Sequence, residues 1–450
     1  MTTIKSGVVP VMILFFLCMM MIPCTAIQPA WTYTDGQTKI EDLIVAPDGS
    51  AVIAGTGKVL LLSGNGTVLA KEPYGEIITQ SRDGSTIISG YSSVVSTTVY
   101  LFKKITDTNG NPTLQKQWEA TQPNRVCSFA VSDKGDRVAF TTGGTGVHVY
   151  DGNTGTHIGY SDAYSSLIAM SAKGNTIAGV SIEEGIKKYT SKGGLSKKYD
   201  ITLAGQPKSF LMNADGQVVV FDAGPQIIAF NVSNGSELWK IRSSGDVNML
   251  AMTPPGNLIA AGTESGAIEL YDANGTLKWM YNANRGEGSG QAIKAVALTR
   301  DGSKIIAGSV DGKIYFLDSA GNLLWTYDTG KATIWKVAIA ADGSLAASAS
   351  DNTIYSFDTR QQNTSPGGAV TSSTLPSRTF PSGISSTTLP ETSDTPDVLR
   401  TTLRAAVPGT LTVTQTEYSV IRKATQSPLE MMNGITAVLV LLFFIVRKNN

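Results

Sequence analysis

Few residues in this sequence have the type and spacing that chemistry requires. The two histidines, His148 and His157, could bind zinc, but the sequence shows no partner ligands, so we expect structural or surface roles for both. Cys127 lies in an apolar run and is predicted to be a small buried side chain, with a reactive or metal-binding thiol as the alternative. We therefore predict no metal site and no catalytic residue from these groups.

Motifs for hydrolysis and phosphate binding are missing as well. No Gly-x-Ser-x-Gly stands at a strand-to-helix elbow, since no helix is predicted. The glycine clusters Gly143–Gly146 and Gly288–Gly290 lack the following helix that would form a phosphate cradle. Aspartates instead recur at the predicted ends of third strands, which is typical of turn capping: Asp151, Asp272, Asp318 and Asp358.

The charge balance bears on possible partners. The chain has 450 residues, of which 36 are basic and 36 acidic, and charged residues make up 16% of it. A nucleic-acid-binding protein needs a basic face that neutralises phosphates, and no run of basic residues stands out here. The composition therefore argues against nucleic acid as a partner, and it implies no strongly anionic ligand.

An internal repeat organises most of the chain. A turn centred on glycine recurs about every forty residues, and short β-like runs surround each copy. Such a period predicts a β-propeller in which each repeat forms one four-stranded blade. The turn glycines are Gly49, Gly84, Gly135, Gly174, Gly216, Gly256, Gly302 and Gly343.

Residues 290–330 form the clearest repeat. They contain four short runs rich in Val, Ile, Ala and Tyr, which suit half-buried strands: Ile293–Leu298, Lys304–Ala307, Lys313–Leu317 and Asn322–Tyr327. Asp301-Gly302 and Asp311-Gly312 separate the first three runs and favour tight turns.

The last repeat, residues 331–361, has only three such runs. Ala30–Tyr33 resembles Leu324–Tyr327, a fourth run, and precedes the first glycine turn. We therefore predict that Trp31 and its neighbours complete the last blade beside Tyr355, which closes the ring and removes open sheet edges. The predicted fold is all-β, an eight-bladed propeller closed by the N-terminal strand.

Tryptophans follow the same period. The recurrence predicts packing between neighbouring blades, with an aromatic ligand platform as the alternative, for Trp31, Trp118, Trp239, Trp279 and Trp325. Trp335 lies in a first strand instead, facing either the axis or an adjacent blade.

Residues 1–26 are typical of a secretory signal peptide. Lys5 precedes the apolar run Val8–Ile22, and small residues precede a predicted cut after Ala26. An uncleaved signal anchor is the alternative. After cleavage Cys127 would be the one remaining cysteine, so no intrachain disulfide is expected.

The C-terminal part of the chain predicts a tether. Residues 362–430 are rich in Ser, Thr and Pro and are predicted to be a disordered stalk, since they cannot bury enough apolar surface. Residues 431–447 carry the apolar run Ile435–Val446, which is short for a spanning helix, and basic residues follow it. We predict a C-terminal hydrophobic helix that is either a transmembrane anchor or a sorting tail.

Five Asn-x-Ser/Thr motifs are typical of an exposed glycoprotein. Some of them contain an Asn-Gly pair, which tight turns also favour without glycosylation. The candidate N-glycosylation sites are Asn65, Asn231, Asn234, Asn274 and Asn363.

A family resemblance follows from these repeats. The sequence Leu-Leu-Trp-Thr-Tyr at residues 323–327, with Ala-x-Asp-Gly-Ser at residues 46–50 and 340–344 of other repeats, resembles the PQQ-like and WD-like propeller repeats over residues 31–361. With the signal and anchor added, the chain resembles the cell-surface propeller proteins common in methanogenic archaea and some bacteria. Many such relatives have no known enzymatic activity, which implies a binding scaffold.

Quinoprotein dehydrogenases share the ring and bind PQQ and Ca²⁺ on its axis. The resemblance implies a catalytic Asp, carboxylate and Asn calcium ligands, and often an adjacent Cys pair. This sequence has no Cys-Cys and no acidic cluster at a fixed spacing, so we expect no cofactor.

Recognition is then expected at surface loops. The loop Ala283–Gln291, with Arg285 and Glu287 among glycines, is the candidate recognition loop, and the insertion Lys103–Pro112 is predicted on the opposite face. We predict a non-enzymatic cell-surface module that binds protein or glycan and is anchored to the membrane outside the cytoplasm. A degenerate quinoprotein-like enzyme that uses the axial channel is the main alternative, and a structural envelope component is another.

Overall fold

A computed structural model of the chain describes residues 27–362, except residues 37, 93–95, 144–145, 284–290 and 331–332. The chain divides into two compact units, Met1–Thr371 and Ser372–Asn450. The second unit lies outside the described residues, as do the predicted signal peptide and the stalk beyond residue 362. Among the described residues, no helix is long and apolar enough to cross a membrane.

The described residues form β-strands and one short 3₁₀ helix, Thr359–Gln362. The first sixteen strands are β1 (Trp31–Thr34), β2 (Asp42–Val45), β3 (Ala51–Gly55), β4 (Gly57–Ser63), β5 (Val68–Gly75), β6 (Ile77–Gln80), β7 (Thr86–Ser92), β8 (Thr97–Thr106), β9 (Pro112–Gln122), β10 (Val126–Val131), β11 (Arg137–Thr142), β12 (Gly146–Asp151), β13 (His157–Ser161), β14 (Leu167–Met170), β15 (Thr176–Ser181) and β16 (Gly185–Thr190). The others are β17 (Leu195–Tyr199), β18 (Phe210–Met212), β19 (Val218–Ala223), β20 (Gln226–Asn231), β21 (Ser236–Arg242), β22 (Val247–Met252), β23 (Leu258–Thr263), β24 (Ala267–Asp272), β25 (Leu277–Asn282), β26 (Ile293–Leu298), β27 (Lys304–Ser309), β28 (Lys313–Asp318), β29 (Leu323–Asp328), β30 (Lys336–Ile339), β31 (Leu345–Ser350) and β32 (Thr353–Asp358).

These strands form eight antiparallel four-stranded sheets within the described part of the chain, so the predicted eight blades are confirmed. Blades 1 to 7 take four consecutive strands each, beginning with β2. Blade 8 consists of β30, β31, β32 and the N-terminal strand β1. Thr32 pairs with Tyr355, and Trp31 pairs with Ser356, so the predicted closure by the N-terminal strand is also confirmed.

The turns between first and second strands contain glycine because one backbone position in each turn needs a positive φ. Gly302 has φ 72°, which L side chains rarely adopt. A Cβ at Gly302 would also lie 2.4 Å from Cδ1 of Leu258 in the preceding blade. The turn therefore fixes the local hairpin and the distance between blades at the same time.

The hydrophobic core is a ring of interfaces between blades. Each of its clusters joins side chains of two neighbouring sheets, and together they account for all eight interfaces. Between blades 6 and 7, for example, Leu270 and Ile268 pack with Ile293 and Ile305. Both faces of each sheet are buried, which explains why second and third strands are continuously apolar rather than alternating.

The periodic tryptophans join neighbouring blades, as predicted. The indole of Trp279 covers Gly321 of blade 7, where a Cβ would lie 2.7 Å from the ring. Indole N–H groups also donate to carbonyls of the next blade: Trp31 to Gly64 (2.8 Å), Trp118 to Gly152 (3.1 Å), Trp239 to Ala273 (2.8 Å) and Trp279 to Ser319 (2.9 Å). Trp325 is the exception, since its buried N–H has no hydrogen-bond partner among the described residues.

The outer edges of the blades are irregular. The pairing register of the third and fourth strands shifts by one residue in blades 1 to 7, as at Leu270/Tyr271 in blade 6. Such bulges disrupt the free edge and protect it from pairing with other chains. In blade 2 the predicted insertion Lys103–Pro112 lengthens strands β8 and β9 and leaves only the turn between them irregular.

Candidate functional site at the channel mouth

The blades define two faces of the ring. The first strands begin at the face we call upper, which also carries the connections between blades. They end at the lower face, where the turns between first and second strands and those between third and fourth strands lie together. The Gly64 N–H, for example, donates to the Ser50 carbonyl (2.9 Å).

One position per blade lies at the upper mouth of the channel. It is the residue eight positions before each turn glycine, such as residue 294 for Gly302. The residue just before it is buried in every blade, whereas this residue is accessible in every blade. We name these eight residues the upper ring: Glu41, Glu76, Cys127, Ser166, Lys208, Asn248, Lys294 and Trp335.

In three of the eight blades, an irregularity in the first strand directs the upper-ring side chain away from the sheet. The first strand of blades 3, 6 and 7 has a register shift that leaves Cys127, Asn248 and Lys294 without a partner on the second strand. A bulge turns the extra residue away from the sheet. The prediction that Cys127 is buried is therefore wrong: its side chain is exposed on the ring, because the bulge interrupts the inward alternation of the strand.

The Cys127 thiol is nonetheless not activated. Desolvation by the surrounding protein raises the pKa of Cys127, and the nearby Arg125 only partly opposes this effect. Its Sγ lies 3.7 Å from the Arg125 carbonyl. A raised pKa keeps the thiolate fraction low at neutral pH, which does not favour a nucleophilic role.

The upper ring is connected by polar contacts across blades 5 to 7. Lys208 Nζ donates to Asn248 Oδ1 (2.9 Å), and Asn248 Nδ2 donates to the Ile293 carbonyl (3.0 Å). Lys294 forms an ion pair of 2.6 Å with Glu264, and this contact lowers the pKa of Glu264 although desolvation opposes it. These side chains are thus held in fixed positions at the face.

Two buried carboxylates support this region from below. Asp222 accepts backbone N–H groups of Lys208 (3.1 Å) and Ser209 (2.6 Å), and burial raises the pKa of Asp222. Glu269 accepts the Ser244 N–H (2.9 Å) and the Tyr271 hydroxyl (2.6 Å). Both groups fix the backbone of connections between blades, which is a positioning role.

Trp335 is the aromatic member of the upper ring. Its side chain is 43% exposed, and its backbone N–H is bonded to the Ala349 carbonyl (3.0 Å). The next residue, Lys336, pairs with Asp42 of blade 1 (3.2 Å), so this part of the mouth is also cross-linked between blades.

The two histidines contact each other but belong to an aromatic stack. His148 lies between Phe140 and Tyr160, with ring centroids 5.5 Å and 5.9 Å away, and His157 lies 5.8 Å away. Burial, and then the charge of His157, lowers the pKa of His148. No group of three or more His, Cys, Asp or Glu in the described ranges has the arrangement of a metal site.

The repeated aspartates cap turns. Asp272 accepts the N–H groups of Asn274 (2.8 Å) and Thr276 (2.9 Å), and the bond from Thr276 is the main cause that lowers the pKa of Asp272. Asp151 makes equivalent bonds to Asn153 and Thr154. These contacts agree with the predicted capping role.

The first strands enclose a cavity of ≈ 460 Å³ that is lined by residues of all eight blades, none of which belongs to the upper ring. Arg82 and Asp133 form an ion pair of 2.8 Å in its wall. Backbone bonds between blades encircle its lower end, including Ala341 to Pro47 (2.9 Å) and Ala214 to Pro254 (2.7 Å). The two prolines lack an N–H that could continue the belt to the next blade.

The candidate glycosylation sites lie in different environments. Asn65, Asn234 and Asn274 are exposed in turns between third and fourth strands, on the lower face. Asn231 Oδ1 accepts two backbone N–H groups and occupies the capping position that Asp takes elsewhere. Asn363 lies outside the described residues, as do Arg285 and Glu287 of the predicted recognition loop, so their predicted roles stay predictions.

Sequence reasoning missed the upper ring. The signal was present, because counting back eight residues from each turn glycine finds all eight members. Residue type gave no help, since Glu, Cys, Ser, Lys, Asn and Trp share no chemistry.

The repeat has counterparts among known proteins. Residues 164–380 match the PQQ_2 family model, described as outer membrane protein assembly factor BamB. No curated protein sequence matches the chain.

Solved WD40 propellers have a similar fold. Sqt1 from Chaetomium thermophilum bound to the N-terminus of the ribosomal protein L10 has a TM-score of 0.61 at 16% identity, with 73% of this chain and 98% of that chain covered. The C-terminal WD40 domain of Sif2 has a TM-score of 0.60 at 13% identity, with 74% and 97% covered. Such low identities establish likeness of fold alone. The chain is thus an eight-bladed β-propeller that carries PQQ-like repeats.

Proposed function

We propose that this chain is a non-enzymatic interaction module that binds a protein partner at its upper face. One observation carries the proposal. The upper ring is accessible in all eight blades and carries six different residue types, whereas the residue just before it is buried in every blade. A fold made of repeated units that exposes different side chains around one face provides a rigid frame with a specific surface.

The positions of the described chain ends also favour the upper face as the binding surface. Strand β1 begins and strand β32 ends at the lower face, so neither described end of the chain covers the upper ring. The exposed Asn65, Asn234 and Asn274 also lie on the lower side, so glycans there would leave the upper face free. The predicted export and C-terminal anchoring would place this module at the cell surface.

Cross-linking from Cys127 tests the proposal. A photoactivatable maleimide on Cys127, in a chain whose Cys18 and Cys24 are replaced by Ser and at mildly alkaline pH because the thiol pKa is raised, places the probe on the upper ring. The matched control is Cys127→Ser combined with Asn153→Cys, since Asn153 is exposed on the lower face of the same blade.

We expect a discrete cross-linked protein from position 127 that is absent from position 153, and a lower yield in Lys208→Glu. Equal products from both positions, or none from position 127, would contradict the proposal. PQQ with Ca²⁺ separates the quinoprotein alternative: a rise in melting temperature with dye-linked oxidation would support an enzyme instead.

A further inference from the structure

Blades 5 to 8 carry a continuous arc of polar side chains that ends at an exposed aromatic ring. The arc comprises Lys208, Asn248, Glu264 and Lys294, and Trp335 occupies the equivalent position on the next blade. The first strands of blades 7 and 8 are in direct contact; Lys294 lies in the first of them, β26, and Trp335 immediately precedes the second, β30.

One of the two ammonium groups of the arc is paired with a carboxylate, and the other is hydrogen-bonded to a neutral amide. Lys294 is bonded to Glu264 (2.6 Å), and Lys208 is bonded to the Asn248 amide (2.9 Å). An ammonium group engaged in this way is poorly suited to neutralise a phosphate or sulfate. The arc instead presents fixed donors and acceptors side by side, and the bonds that hold them reduce the entropy lost on binding.

Hydroxyl groups extend the arc on blade 6. The Ser244 and Ser265 hydroxyls lie 2.8 Å apart, and the Thr263 hydroxyl lies 2.9 Å from Ser265. Glu269 fixes the backbone of Ser244, whose N–H it accepts. Hydroxyl groups act both as donors and as acceptors, so they suit a ligand whose groups do the same.

Trp335 adds a different kind of contact. An indole ring that is 43% exposed, just before the strand β30, offers a flat, electron-rich face. Ligands that have both an apolar C–H face and a rim of hydroxyl groups are sugars in the pyranose form. We propose that this arc is a binding site for a neutral carbohydrate, with a sugar ring stacked on Trp335 and its hydroxyls bonded to Asn248, Glu264 and Lys294.

Titration of the full chain with three neutral trisaccharides, N,N′,N″-triacetylchitotriose, cellotriose and mannotriose, tests the site. Calorimetry measures affinity, and proton NMR of the sugar detects the upfield shift of C–H protons above an indole. We expect binding of at least one trisaccharide, a roughly tenfold weaker affinity in Trp335→Ala, and partial retention in Trp335→Phe.

Asn248→Ala should also weaken binding, whereas Tyr160→Ala provides the matched control. Tyr160 is 62% exposed on an outer strand of blade 3, far from the mouth, so its loss should leave the affinity unchanged. Unchanged melting temperatures of the variants exclude misfolding. Absence of binding by all three sugars, or equal affinity in Trp335→Ala, would overturn the site.

The outcome is separable from the test of a protein partner. Cross-linking uses a probe on blade 3, and sugar binding uses side chains of blades 6 to 8. Loss of sugar binding with retained cross-linking overturns the carbohydrate site alone.

Discussion

Trp279 donates its indole N–H to the Ser319 carbonyl at 2.9 Å, and this carbonyl follows the aspartate that ends a third strand. The equivalent residue in the last blade is Thr359. There the chain enters the 3₁₀ helix Thr359–Gln362 and forms no turn into a fourth strand. Consequently the buried N–H of Trp325 has no acceptor among the described residues.

This difference predicts opposite effects of one substitution. Trp279→Phe removes a hydrogen bond and should lower the free energy of unfolding by about 1 kcal/mol beyond the loss of ring area. Trp325→Phe removes a buried unpaired donor and should be neutral or stabilising. Urea denaturation of both variants measures the contrast, and equal destabilisation would contradict it.

The contact of Trp279 with Gly321 predicts a difference in stability between two Gly→Ala variants. Gly321→Ala introduces strain at φ 83° and places a Cβ 2.7 Å from the indole. Gly330→Ala has a similar φ of 61° but meets no atom within 4 Å. We expect Gly330→Ala to lower the free energy of unfolding by roughly 1–2 kcal/mol because of its φ alone, and Gly321→Ala to lower it clearly more. Equal losses in thermal denaturation would show that the indole moves aside freely.

Asp351 predicts a stabilising substitution. It is the one non-glycine residue with a positive φ among the described residues, at 36°, in the turn that meets the closing strand. Asp351→Gly should raise the free energy of unfolding by about 0.5–1 kcal/mol, because the strain is removed. Asp311→Gly is the control, since Asp311 precedes a turn glycine and has no positive φ; it should be neutral or destabilising.

His148 predicts a loss of stability in acid. Its pKa is lowered in the folded state by burial and then by His157, so the unfolded chain binds the proton more tightly. Stability is therefore complete above the ordinary value of 6.5 and falls as the pH drops from there through the folded-state pKa. His148→Phe preserves the stack with Phe140 and Tyr160, and it should remove part of this slope between pH 7 and pH 5. Identical slopes in both proteins would exclude His148 as the cause.

The strands could be predicted well from the sequence because glycine residues mark the turns in each repeat. Glycines such as Gly302 and apolar runs such as Ile293–Leu298 coincide with the observed turn and strand. The similarity of Ala30–Tyr33 to a fourth strand was sufficient to place β1 in blade 8.

Side-chain direction was harder to predict than strand position. Cys127 was expected inside, but a bulge of one residue exposes it, and no residue type announces such a bulge. Lys187 shows the reverse: this lysine of β16 is fully buried, where it donates to the Tyr164 carbonyl and pairs with Glu184 (3.3 Å). Both cases depend on local backbone geometry, a bulge for Cys127 and the carbonyl of a connecting segment for Lys187, which the pattern of apolar and polar residues does not reveal.

The joining of β1 to β32 has a consequence for biogenesis. The strand made first during synthesis finds its partner only after the strand made last has emerged, more than three hundred residues later. Until then a nascent chain exposes an unsatisfied sheet edge and cannot complete its circle. We therefore expect the ring to close only after translation has passed Asp358, and the incomplete chain to be prone to aggregation until then.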